Sequence, residues 1–187
     1  MKKSLDEIRA QNFKALILDL RNNPGGLLTQ AVSTASQFLS SGNVLLEKNA
    51  QNQITPVAVQ KGGVALSVPM VVLVNNGTAS AAEIVSGALQ DHKRAKLVGA
   101  TTFGTGTVLQ QFPLSDGSAL LLAVLEWLTP NGNQIWHKGI TPNFMVSLPE
   151  GAAPVFPVEE KGMTLQQLKA SKDTQLLKAL KLLTDQI

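Results

Sequence analysis

A serine that follows an apolar strand and opens a helix is well placed for nucleophilic chemistry, and Ser80 stands at such a point. The stretch Gly77-Thr78-Ala79-Ser80-Ala81-Ala82-Glu83 comes after the apolar run Pro69–Val74 and the turn residues Asn75 and Asn76. A helix N-terminus carries unpaired backbone N–H groups and a partial positive charge. The N–H of Ala81 would therefore lie beside the serine. A second corner, Asn22-Asn23-Pro24-Gly25-Gly26, follows the run Ala15–Leu20. Its glycines allow the backbone to approach a ligand closely. One N–H from each corner would make an oxyanion hole for acyl transfer. A purely structural role fits the same residues. Ser80 can be an N-cap with Glu83 at the capping-box position, and Gly25 and Gly26 can simply end a strand.

Other chemistries are poorly provided for. With no cysteine in 187 residues, disulfides, thiolate catalysis and zinc–sulfur sites are excluded. Neither His92 nor His137 belongs to a cluster with metal-ligand spacing, so no metal and no cofactor is expected. A net charge of +3, without a basic stripe interleaved with aromatics, gives no argument for nucleic acid. The apolar runs near Val71 and Leu120 fall well short of the ~20 residues of a membrane span. Met1-Lys2-Lys3-Ser4 resembles the start of an export signal, but Asp6, Glu7 and Arg9 interrupt the apolar run that one needs.

The elements that must position Ser80 are legible as periodicity. Residues 4–12 read as a short polar helix. Ala15–Leu20 and Pro69–Val74 read as strands buried on both faces. Each feeds a turn and then an amphipathic helix, the first through Leu28, Ala31, Val32, Ala35, Phe38 and Leu39, the second through Ile84, Val85, Ala88 and Leu89. Shorter strands are expected near 44–48 and 96–99. Strands also suit Val108–Phe112, Ala119–Leu125 and Ile135, with turns at Ser115-Asp116-Gly117 and Pro130-Asn131-Gly132. The Pro-rich stretch 149–157 reads as a linker. In the tail, Thr164 with Gln167 forms a capping box, and Asp173 caps a helix carrying Leu176, Leu177, Leu180 and Leu183. The fold class expected is a layered α/β domain, with residues 1–148 as a core and 149–187 as a linker and C-terminal helices packed on it.

These motifs together resemble one family. Leu18-Asp19-Leu20-Arg21-Asn22-Asn23-Pro24-Gly25-Gly26, Val74-Asn75-Asn76-Gly77-Thr78-Ala79-Ser80-Ala81-Ala82-Glu83-Ile84 and Thr102-Phe103-Gly104-Thr105-Gly106-Thr107-Val108 are similar, in order, to the signatures of the carboxyl-terminal processing, or tail-specific, proteases. Asp116-Gly117-Ser118, Thr129-Pro130-Asn131-Gly132 and Gly139-Ile140-Thr141-Pro142 extend the likeness over residues 5–146. The resemblance implies a ClpP/crotonase-like core with a mixed sheet and a Ser–Lys dyad with Ser80 as nucleophile. It also implies an oxyanion hole formed by the amides of Gly26 and Ala81. Substrates would be protein or peptide C-termini, met outside the cytoplasm; a homo-oligomer is compatible. Members usually carry a PDZ-like domain ahead of this region, and this chain starts too late to include one.

One departure bears on the chemistry. The family's lysine falls on Thr105, and the glutamine that follows it falls on Leu109, with Gln110 one residue late and on the opposite strand face. A serine needs a base to become a good nucleophile. A buried lysine can serve because desolvation lowers its pKa; threonine cannot accept the proton. Loss of a general base typically costs ~10²–10⁴-fold. His92 and Lys93 lie roughly 18–20 Å along the helix that Ser80 starts, out of reach, as does Asp91. Lys96 falls at the same far end, and His137 and Lys138 read as a distal turn. The expected function is a serine endopeptidase core, the alternative a catalytically impaired homologue that binds peptides. Crotonase-like acyl chemistry is a third reading, which the three protease motifs disfavour.

Overall fold

The computed structural model describes residues 2–9 and 13–185. Two four-stranded sheets organise it. The first is all parallel, in the order β1 (Leu16–Asp19), β4 (Met70–Val74), β5 (Lys96–Gly99), β8 (Phe144–Met145). The second is all antiparallel, in the order β3 (Ile54–Ala58), β2 (Asn43–Asn49), β7 (Ala119–Leu128), β6 (Thr107–Pro113). The parallel and antiparallel pairings anticipated for one mixed sheet are thus divided between two.

The continuous apolar run of β4 follows from its place inside a sheet covered on both faces. Met70, Val72 and Val74, with Leu97, point to the side packed by α2 (Leu28–Ala35) and α3 (Ala81–Asp91). Val71 and Leu73, with Val98, point to the other side. There they meet Leu168 of α5 (Leu165–Ala170) and Leu176, Ala179 and Leu183 of α6 (Thr174–Thr184). Helix α3 is buried from Ala81 to Leu89, because it contacts α2, β5 and the second sheet through β2. Gly87 faces Thr129 and Ile140 closely: a Cβ there would stand 3.1 Å from Thr129 Cγ2 and 3.2 Å from Ile140 Cδ1.

Several sequence expectations are corrected. Helix α1 runs Lys2–Arg9, and residues 10–12 of the expected helix lie outside the described residues. β3 escapes a periodicity search because it is an exposed edge strand broken by Pro56. β7 continues to Leu128 to pair with β2. Ile135 lies in no strand; it is a core residue beside an isolated bridge between Leu128 and Gln134. Pro157 does not belong to a linker but opens α4 (Pro157–Glu160), where its missing N–H costs nothing. Both tail caps are present: the Leu176 N–H donates to Asp173 Oδ1 at 2.9 Å and the Gln167 N–H to Thr164 Oγ1 at 3.2 Å.

The outer part of the β6–β7 hairpin pairs with no other described strand, since β2 meets β7 only from Leu125 onward. This arm carries Leu109, Leu120, Leu121 and Leu122 to solvent.

Candidate active site

Strands β1 and β4 run side by side and parallel, so their C-terminal corners emerge at the same end of the sheet. Hydrogen bonds fasten the corners together. Asn22 N–H donates to Asn75 Oδ1 at 2.9 Å, and Asn75 Nδ2 returns a bond to Asn22 Oδ1 at 2.8 Å. Ala79 N–H donates to the Asn23 carbonyl at 2.9 Å, and the buried Thr78 hydroxyl to the Leu20 carbonyl at 2.8 Å. The dense asparagine content of both turns thus links them as well as forming them.

Gly25 is where the corners touch. Its φ is +95°, and a Cβ there would lie 2.7 Å from the Ala79 oxygen, 2.7 Å from the Ala81 nitrogen and 2.8 Å from Ser80 Cβ. Only glycine satisfies both the backbone angle and the space. Gly26 follows, exposed, with open space where a side chain would project. Among the described residues, neither the Gly26 N–H nor the Ala81 N–H donates to a protein acceptor. Gly26 and Ala81 both line one cleft of about 160 Å³, whose walls include Leu20, Leu27, Ala31 and Val85. A larger cleft of about 350 Å³ lies between β1 and α6, lined by Ile17, Leu176 and Leu183, and holds none of these groups.

Ser80 itself has φ +54° and ψ −122°. A non-glycine residue held in such a region costs about 1–3 kcal/mol and persists only when its surroundings impose it. Glu83 imposes it. Its carboxylate is fully buried and accepts four hydrogen bonds. Ser80 N–H and Thr105 N–H donate to Oε2, each at 2.9 Å; Gly104 N–H at 2.7 Å and the Thr102 hydroxyl at 2.5 Å donate to Oε1. The Ser80 N–H is therefore capped by Glu83, and the Glu83 N–H donates to the Ser80 carbonyl at 2.8 Å. The Ser80 hydroxyl makes no cap bond and is left uncommitted. Reading Glu83 as a cap alone misses its hold on the third loop.

That loop, Thr102–Gly106, brings Thr105 to the site. Besides Glu83, the Phe103 N–H donates to the Thr78 carbonyl at 2.9 Å. Thr105 is half-buried, and Leu109 is exposed in β6. The turn at His137 and Lys138 is not distal, as the sequence suggested. Its His137 N–H donates to the Gly104 carbonyl at 2.9 Å, and the Cβ space of Gly104 and Gly106 is occupied by this turn's backbone. Nothing in periodicity signals this, because the turn is brought back by the β7–Gln134 bridge. The His137 and Lys138 side chains are exposed, and the His137 ring packs on Trp136 with centroids 4.4 Å apart. At the far end of α3, Asp91 accepts from the Asn131 N–H at 2.8 Å, and His92 lies 2.8 Å from the Asn43 carbonyl. Lys93 and Lys96 are exposed there.

Behind the first corner sits Arg21, also buried, whose guanidinium meets Asp19 at 2.7 Å and Asp173 at 2.7 Å. Burial works against its charge, but hydrogen bonds and fields from Asp19 and Asp173 outweigh it and hold the pKa above its ordinary value. No group of three metal-ligating side chains occurs among the described residues. The arrangement suits acyl transfer in part. It holds Ser80 at a strained turn against Gly25, with the Gly26 and Ala81 amides lacking a protein acceptor, and threonine stands where the family resemblance would put the base.

Comparison with known proteins finds likeness in both sequence and fold. The profile described as peptidase family S41 matches residues 1–146. The carboxy-terminal-processing protease of Bartonella bacilliformis is 42% identical over 144 residues, 76% of this chain and 33% of the relative. The carboxy-terminal processing protease CtpA of Bacillus subtilis is 40% identical over 149 residues, 80% of this chain and 32% of the relative. This chain therefore spans about a third of the length of the curated relatives it matches. The solved photosystem II D1 C-terminal processing protease superposes with a TM-score of 0.74 at 35% identity, over 79% of this chain and 39% of that one. A Parabacteroides merdae structure, 22% identical, shares the fold over 98% of this chain and 56% of its own, with a TM-score of 0.75.

Proposed function

This chain belongs to peptidase family S41, and on that premise we propose that it forms the core of a serine endopeptidase that cuts proteins near their C-termini through Ser80. Residues 1–148 are the protease core in this reading, with 149–187 the linker and C-terminal helices that complete it. Protein or peptide C-termini are the substrates, a reading supported by the relatives' names, and they are met outside the cytoplasm as the family resemblance implies. No described helix is long and apolar enough to cross a membrane.

The observation that carries the proposal is the conformation of Ser80, strained to φ +54° against Gly25 with its hydroxyl uncommitted. In the reaction Ser80 Oγ bonds to the scissile carbonyl carbon while the N–H groups of Gly26 and Ala81 donate to the developing oxyanion. The C–N bond then breaks, the amine leaves carrying the serine proton, and water hydrolyses the acyl ester to free Ser80. Donors already fixed in place give the largest single contribution to such a step, about 3–4 kcal/mol for each one. The substrate lies extended along the active-site edge, its residue before the cut seated in the cleft of Leu20, Ala31 and Val85. Thr105 occupies the position of the base and cannot take the Ser80 proton, so acylation in this chain is slow.

A fluorophosphonate reagent tests both parts. Slow or absent labelling of Ser80 is expected in the unmodified chain. Thr105→Lys is expected to raise the rate at least ~10²-fold, and Ser80→Ala to abolish labelling. Rapid labelling of the unmodified chain would show that another base serves Ser80. A folded Thr105→Lys chain that stays unlabelled would contradict the assignment.

A further inference from the structure

The C-terminal segment lies beyond the part of the chain matched by the family profile, which ends at residue 146. Yet it reaches the glycine corner through a fully buried contact. Asp173 is 0% exposed, and so is the Arg21 side chain it meets. The two residues are 152 apart in sequence.

All five N–H donors of Arg21 are satisfied. Nε donates to Asp19 Oδ1 at 3.0 Å. Nη2 donates to Asp19 Oδ2 at 2.7 Å and to the Val155 carbonyl at 3.0 Å. Nη1 donates to Asp173 Oδ2 at 2.7 Å and to Gln175 Oε1 at 3.2 Å. Three of those five acceptors belong to residues 155–175. The Asp173 carboxylate is equally committed, for Oδ2 also accepts the Val155 N–H at 2.8 Å and Oδ1 caps α6 through the Leu176 N–H. A planar fork held at both ends fixes direction as well as distance.

Arg21 leads directly into the corner. Its next neighbours, Asn22 and Asn23, make the bonds that join the two turns, and Gly25 then packs on Ser80. We propose that Asp173 is a positioning residue for the Ser80 site: through Arg21 it sets the angle at which the Asn22–Gly26 corner presents its amide. The C-terminal helix is thereby part of the catalytic architecture and not an appendage of the fold. This rests on the reading of Ser80 as nucleophile. It adds that the oxyanion donor of the first corner is held by a residue outside the family's own motifs.

Asp173→Ser separates the two duties of the residue, since serine remains a good N-cap but cannot pair with Arg21. The first measurement needs no activity. In the unmodified background, amide exchange at Asn22, Gly25 and Ala79 is expected to quicken at least ~10-fold in Asp173→Ser. Exchange at Ala88 and Leu97, in the core, rises by no more than the variant's loss of global stability, and by less than at the corner. A uniform rise across the molecule, or no rise at the corner, overturns the proposal. The second uses the Thr105→Lys chain, at a temperature where circular dichroism shows both proteins folded. Asp173→Ser is expected to lower kcat about 10–100-fold with KM unchanged, and Asp173→Glu to recover part of it. An unchanged kcat, or a loss expressed only in KM, overturns the proposal. If Thr105→Lys alone is inactive, the fault lies with the Ser80 assignment, and the exchange measurement still decides whether the clamp holds the corner.

Discussion

Glu83→Gln tests how the site is held together. The substitution keeps the size of the side chain and turns one carboxylate oxygen into a donor. If the new NH₂ replaces Oε2, the N–H groups of Ser80 and Thr105 both lose their acceptor. If it replaces Oε1, the Gly104 N–H loses its acceptor, and the Thr102 hydroxyl, which already accepts from the Ile140 N–H at 2.7 Å, must find a new direction. Each buried group left unpaired costs about 2 kcal/mol, the middle of a ~1–3 kcal/mol range, so with one or two groups affected the variant should lose about 2–4 kcal/mol. That is less than the ~5–15 kcal/mol of a typical domain, so the chain remains folded. At about 2–4 °C per kcal/mol for a chain of this size, Tm should fall by about 5–15 °C. Urea unfolding followed by circular dichroism, with a thermal scan beside it, reads both. A change under about 0.5 kcal/mol, the range of an ordinary surface substitution, would refute the claim that Glu83 ties Ser80 to the Thr102–Thr105 loop.

Three further outcomes follow from other places in the molecule. Gly25→Ala puts a methyl within 2.7–2.8 Å of Ala79, Ser80 and Ala81 at φ +95°, and should cost about 2–4 kcal/mol and displace Ser80, as denaturation and labelling of the Thr105→Lys background will read. Leu121→Thr with Leu122→Thr, on opposite faces of the exposed arm, should change stability by less than about 0.5 kcal/mol in urea unfolding, since these side chains are 60% and 45% exposed. At the hairpin tip, the Ser118 hydroxyl, followed by its N–H, holds the Asp116 carboxyl below its ordinary range. That contact is present above the unfolded value near ~4 and is lost as pH falls through the lowered one, so Ser118→Ala should raise the Asp116 pKa in an NMR titration.

Where one physical signal dominated, the sequence was readable. β4 reads as a buried strand because every residue from Met70 to Val74 is apolar, and the structure buries all five. The asparagine and glycine turns read as corners because these residue types favour turns, and Asn22 and Gly25 do take positive φ there. Asp173 and Thr164 read as caps by type and spacing. What could not be read depends on contacts between distant segments. The turn at His137 reaches the Thr105 loop through pairing that has no local signature. Arg21 looks like any charged residue after a strand until Asp173 arrives from 152 residues away. Glu83 is visible as a cap, but its three other donors come from a loop about twenty residues on. β3 is hidden by Pro56 and exposure, β8 by having two residues.

During acyl transfer the developing charge should settle between the two corners, and a covalent phosphonate adduct on Ser80 of the Thr105→Lys chain images that directly. A crystal structure of the adduct should place one phosphonyl oxygen about 2.7–3.1 Å from both the Gly26 and the Ala81 nitrogens. An oxygen turned to solvent, or bonded to one of these amides alone, would contradict a two-donor oxyanion hole at Ser80.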